Sequence, residues 1–122
     1  MNKQNISKEI NRLNFENIIW IIFAILSIAN IIGDNNEKHF LQTYNHDYKD
    51  NANHIFELTI TFTLIIYIYF LMRNYNAFSK CSYKEKSLYA IKVLGSSFLI
   101  AGSICLLYFQ FKQKDFNDSP AL

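Results

Sequence analysis

A chain of 122 residues is long enough for one domain. Its hydrophobic share is 51 %, yet its mean hydropathy is close to zero, because Asn, Lys and Asp crowd between three apolar runs. A net charge of +2 with no Lys/Arg-rich tract leaves no electrostatic footprint for a nucleic-acid partner.

The apolar runs are Ile18–Ile32, Ile55–Met72 and Leu88–Phe111. At ~1.5 Å rise per helical residue they approach the ~30 Å of a bilayer's hydrocarbon core. Ile18 to Leu26 and Leu64 to Met72 are apolar on every side. Such helices are either deeply buried or in lipid, and so short a chain has too little other mass to bury three of them. The expected fold is all-α: a bundle of three transmembrane helices with an amphipathic surface helix in the first connection. The spans are placed at about 15–33, 54–75 and 83–111, the polar extracytoplasmic connection at 34–53 and a disordered tail at 113–122.

The N-terminal segment is polar, with Ile6, Ile10 and Leu13 on one narrow helical face. It reads as a short amphipathic lead-in to the first span. Ser27-Ile28-Ala29 has the form of a signal-peptide cleavage site, but apolar residues resume at Ile31-Ile32, so a retained span is preferred. Helix 1 is expected to stop at Gly33, a residue suited to a left-handed cap. Asp34-Asn35-Asn36-Glu37 then has the pattern of a capping box, starting a new helix. Its apolar side would be Phe40, Leu41, Tyr44 and Tyr48, lying at headgroup level. A bend or break is expected within Asp50–Asn53, with a continuous helix into the membrane as the alternative, since no Gly or Pro stands there. Ser82-Tyr83-Lys84-Glu85 is a second capping pattern, opening helix 3. The short connection before it makes helices 2 and 3 an antiparallel pair.

Charge sets the expected orientation. Lys3, Lys8 and Arg12 share one side with Arg73, Lys80, Lys84 and Lys86, whereas Lys38, Lys49, Lys112 and Lys114 lie opposite among seven acidic residues. Positive residues favour the cytoplasm. The N-terminus is therefore placed in the cytoplasm and the C-terminus outside.

Polar residues inside spans are costly in lipid and are the first candidates for function. Asn30 and Glu57 fall at similar depth on neighbouring helices, as a possible polar intramembrane pair or as shallow interfacial groups. Lys92 lies near the inner end of helix 3 and is expected to snorkel. Thr59, Thr61 and Thr63 cannot share one face and should bond back to their own helix. Helix 3 carries small residues, with Ser97, Ala101 and Cys105 spaced by four and Gly95 and Gly102 by seven. Small residues let membrane helices approach closely, either within one chain or between chains. His39, His46 and His54 lie in the first connection without the i, i+4 spacing of paired ligands, so no metal site is assigned. No cofactor is implied and no catalytic motif is present. Cys81 and Cys105 are expected to lie ~25 Å apart in depth and not to pair.

Ile91 to Gly102, Leu106 to Gln110 and Ile66 to Tyr75 resemble segments of small uncharacterised membrane proteins from low-GC Gram-positive bacteria. The resemblance implies plasma-membrane residence and carries no activity. The expected role is that of a non-enzymatic accessory protein in the lipid bilayer, docking to a larger membrane protein or to itself through Gly95, Ser97, Ala101, Gly102 and Cys105. The alternative is an oligomeric pore-former or small transporter.

Overall fold

The computed structural model describes residues 2–113 as three long α-helices: α1 (Lys3–Thr43), α2 (His46–Lys80) and α3 (Lys86–Lys112). A single 3-10 turn, Tyr83–Glu85, precedes α3. All three helices are long and apolar enough to cross a membrane. The all-α three-helix architecture is therefore as expected, and the chain is a small membrane protein. The tail assigned to 113–122 lies outside the described residues except for Gln113.

The first connection differs from expectation. The stretch after Gly33 is helical, but it is not a separate surface helix: α1 runs through Gly33 to Thr43 without interruption. A glycine costs ~1 kcal/mol of helix propensity without forcing a stop. Here its missing Cβ makes room for a ring, because a Cβ on Gly33 would lie 2.6 Å from Phe56 Cε1. Asp34 to Glu37 lie inside α1 and form no cap. The helix stops instead at Tyr44, which takes the left-handed conformation (φ 56°) and donates its backbone N–H to Phe40 O. Asn45 then caps α2 by accepting from the backbone N–H of Asp47 at 3.0 Å. No bend occurs at Asp50–Asn53. With no Gly or Pro there, α2 continues, and Ala52 and Asn53 are buried.

Two further starts shift. The polar lead-in belongs to α1 itself, capped by Asn2 Oδ1 accepting from Asn5 N at 2.9 Å. Ser82 makes no side-chain cap. It opens the 3-10 turn, with Glu85 N donating to Ser82 O at 3.0 Å, and α3 begins at Lys86.

At ~1.5 Å per residue α1 is ~60 Å long and α2 ~52 Å, well beyond a ~30 Å core. The ends of both must project from the membrane. Beyond Gly33 the two continue side by side as an antiparallel hairpin with its tip at Tyr44-Asn45. We call this the hairpin end. The N-terminus of α1 and the α2–α3 turn lie together at the opposite, connection end.

α2 is the central helix. α1 and α3 each pack against it, while among the described residues no Cα of α1 comes within 8 Å of one of α3. The α1–α2 seam is aromatic: Phe15 meets Tyr69 (5.2 Å between centroids), Trp20 meets Phe70 (5.9 Å) and Phe23 meets Tyr67 (6.0 Å). Most large apolar side chains of α1 and α3 face outward, as lipid-facing helices require.

Candidate functional site

Polar side chains tie the helices together at three levels. At the connection end, Glu16 of α1 is held by both Arg12 and Arg73. Arg73 Nη2 donates to Asn74 Oδ1 at 3.2 Å, and Asn74 Nδ2 donates to Ser96 Oγ on α3 at 2.5 Å. One chain of polar contacts therefore crosses all three helices. Midway, Thr59 Oγ1 donates to Asn30 Oδ1 at 2.8 Å. At the hairpin end, Lys49 Nζ pairs with Glu37 Oε1 at 3.1 Å, with both side chains nearly enclosed. One turn further along α2, Asn53 Oδ1 accepts from Gln110 Nε2 at 3.3 Å, and Gln113 Nε2 donates to Gln110 Oε1 at 3.0 Å. Fully buried Gln110 and Gln113 anchor the end of α3 to α2.

The residues singled out from sequence fall as follows. Asn30 is partnered across the helix interface by Thr59, and among the described residues no hydrogen bond joins it to Glu57. Two residues, about 200° around the helix, explain this: Thr59 lies on the buried side of α2, whereas Glu57 is only partly covered. Thr61 and Thr63 do bond back, to the Glu57 and Thr59 carbonyls, whereas the single hydroxyl proton of Thr59 is shared between Asn30 Oδ1 at 2.8 Å and Phe56 O at 3.1 Å. Lys92 is exposed at the connection end. Cys81 and Cys105 are both free. His39 stacks on Tyr48 and His46 packs against Phe40, each at 5.2 Å. No three His, Cys, Asp or Glu groups converge among the described residues.

Gly95, Ser97, Ala101, Gly102 and Cys105 are all exposed. They do not form one stripe. Residues of α3 facing α2 are Ser96, Ser103 and Gln110, themselves spaced by seven. At 100° per residue, Ser97, Ala101 and Cys105 lie on one flank of that line and Gly95 and Gly102 on the other. Gly102 borders the cleft between α1 and α3, and a Cβ on either glycine would meet nothing within 4 Å.

That cleft is a concavity in two parts. Its hairpin-end half, about 420 Å³, runs from Asn30 and Thr59 past Phe98 and Gly102. Its connection-end half, about 520 Å³, runs past Trp20 and Phe70 to Arg73 and Asn74. Phe23, Tyr67 and Leu99 line both, so the two halves are one groove floored by α2.

No protein family, curated protein or solved structure matches the chain.

The groove, the polar ties and the bare flank of α3 are therefore the features that bear on function. The ties were missed from sequence because each partner lies far away in the chain. One signal was available. Glu16 and Arg73 are equidistant from the Tyr44-Asn45 tip, so a tight antiparallel hairpin brings them level.

Proposed function

We propose that this protein is a non-enzymatic accessory component of the plasma membrane, docking through α3 onto another membrane helix. The observation that carries this reading is the exposed stripe Ser97, Ala101 and Cys105, left bare because, among the described helices, α3 packs against α2 alone. Interfaces between membrane helices are rich in such residues, since close backbone approach replaces the missing hydrophobic drive. Gly95 and Gly102 extend the low-relief surface on the adjoining flank. The partner is a larger membrane protein or a second copy of the chain. The N-terminus is cytoplasmic, as supported by the basic residues gathered at the connection end.

Cys105 provides the test. In a Cys81→Ser background, oxidative cross-linking in native membranes should trap Cys105 to a discrete partner. Ala101→Leu should abolish the adduct and release the partner during purification in mild detergent. A chain that stays monomeric and uncrosslinked refutes docking through this stripe, and a symmetric ring by mass measurement replaces it with a pore. Membrane-impermeant maleimide on intact cells should fail to label Cys81 in a Cys105→Ser variant. Labelling reverses the orientation.

A further inference from the structure

We propose that the groove between α1 and α3 is a phospholipid site, taking one acyl chain of an anionic lipid with its phosphate at Arg73, Asn74 and Lys92. The site uses the flank of α3 that faces α1, so it does not depend on docking through Ser97, Ala101 and Cys105.

The groove has the polarity of an amphiphile. From Thr59 to Arg73 it extends ~21 Å at the standard rise, longer than the ~15 Å that one leaflet contributes to the core. Its walls are mainly apolar over that length, interrupted by the hydroxyls of Ser27, Thr63 and Ser103. At the hairpin-end limit the polar groups satisfy one another, Thr59 donating to Asn30. At the connection-end limit stand Arg73 and Asn74, where the apolar run of α2 finishes. Lys92 is seven residues before Leu99, on the same side of α3, and is exposed. Arg12, Arg73 and Lys92 outnumber Glu9 and Glu16 there. Glu16 and Asn74 engage Arg73 through its two terminal nitrogens, and a guanidinium has five N–H donors. Donors therefore remain for a phosphate at interfacial depth, the usual character of basic lipid pockets between membrane helices.

The lining favours a lipid chain over a protein helix. A docking helix needs small residues to approach closely. In this groove the small residues Ser27, Gly102 and Ser103 are separated by the bulky Phe23, Tyr67, Phe98 and Leu99, while the stripe Ser97, Ala101 and Cys105 lies on the other flank.

Trp20 is the single tryptophan of the chain and lines the connection-end half. It is also 59 % exposed, so bulk lipid quenches it too, and occupancy is read as the excess quenching by the anionic lipid over the zwitterionic one. The full chain is reconstituted in phosphatidylcholine vesicles containing a minor fraction of lipid with brominated acyl chains, as either phosphatidylglycerol or phosphatidylcholine. The brominated phosphatidylglycerol should quench Trp20 with about fivefold higher apparent affinity, the scale of one interfacial cation. Lys92→Gln and Arg73→Gln should each lower that preference, Arg73→Lys should retain most of it, and Gly102→Leu should remove the excess quenching by filling the groove. Equal quenching by the two headgroups overturns the proposal.

Discussion

Gly33 and Phe56 occupy the same space: the ring of Phe56, 1 % exposed, lies where any side chain on Gly33 would project. Phe56 is enclosed, so its ring cannot swing aside freely. Gly33→Leu should cost about 2–3 kcal/mol by overpacking. Gly33→Ala gains up to ~1 kcal/mol in helix propensity and should still be a net loss. The opposite sign is expected at Gly102, where a Cβ meets nothing and Ala should be neutral or stabilising. Unfolding of the pure protein in mixed micelles by rising SDS, followed by Trp20 fluorescence, measures all three. A stabilised Gly33→Ala would remove this account of the crossing.

The ion pair of Glu37 and Lys49 is a second point of high sensitivity. Removing one partner from an enclosed pair weakens the compensation of the remaining charge, at a cost of up to about 3–5 kcal/mol. Glu37→Gln should fall at the lower end of that range, since a few per cent of each side chain remains exposed. Replacing both residues with Leu should recover most of the loss. A double-mutant cycle in micelles measures the coupling. Additive losses would show that the two side chains act independently.

The interhelical hydrogen bonds should matter less than their depth suggests. Such bonds in membranes average ~0.6 kcal/mol, with a maximum near 1.7. Thr59→Val, which deletes the donor to Asn30, should cost about 1 kcal/mol. Thr61→Val should cost almost nothing, because Thr61 is exposed and bonds only to Glu57 O in its own helix. Ser96→Ala should resemble Thr59→Val, since it removes the acceptor of Asn74. The same SDS titration ranks them, and a Thr61→Val loss equal to that of Thr59→Val would sink the distinction.

How much of this was readable from sequence depends on the solvent. Helix number and membrane character follow from run length and from apolar residues on every side, and both are found. The inward faces do not follow, because lipid leaves apolar periodicity uninformative about the core. Thus α3 turns Ser96, Ser103 and Gln110 inward and leaves Gly95 and Gly102 bare, one residue away on a similar heptad. Helix ends also misled. Gly33 has the residue type of a stop, but a glycine lies in a helix equally well where another backbone or ring needs the room. The actual stop, Tyr44, carries no sequence mark, because a left-handed tyrosine is chosen by tertiary context. Asn30 was singled out as a polar residue within a span and paired with Glu57, but it is half-buried and its partner is Thr59, one of three threonines expected to serve only their own helix.

Glu16 and Glu9 offer the last contrast, since both are acidic, both contact Arg12 and they sit two turns apart on α1. Glu9 has a side chain 51 % exposed, and an exposed i, i+3 pair contributes ~0–1 kcal/mol. Glu16 is 12 % exposed and is shared by the guanidiniums of Arg12 and Arg73. Without Glu16, Arg73 loses its carboxylate partner and faces Arg12, which keeps only the exposed Glu9. Glu16→Gln should therefore cost about 2–3 kcal/mol, the scale for unpairing a partly buried charge, and Glu9→Gln less than ~0.5. Added salt should weaken the Glu9 contribution and leave that of Glu16 nearly intact, because exposed pairs are screened far more than enclosed ones. SDS titration at low and high ionic strength reads both effects. Equal costs for the two substitutions would show that Glu16 does not lock α1 to α2.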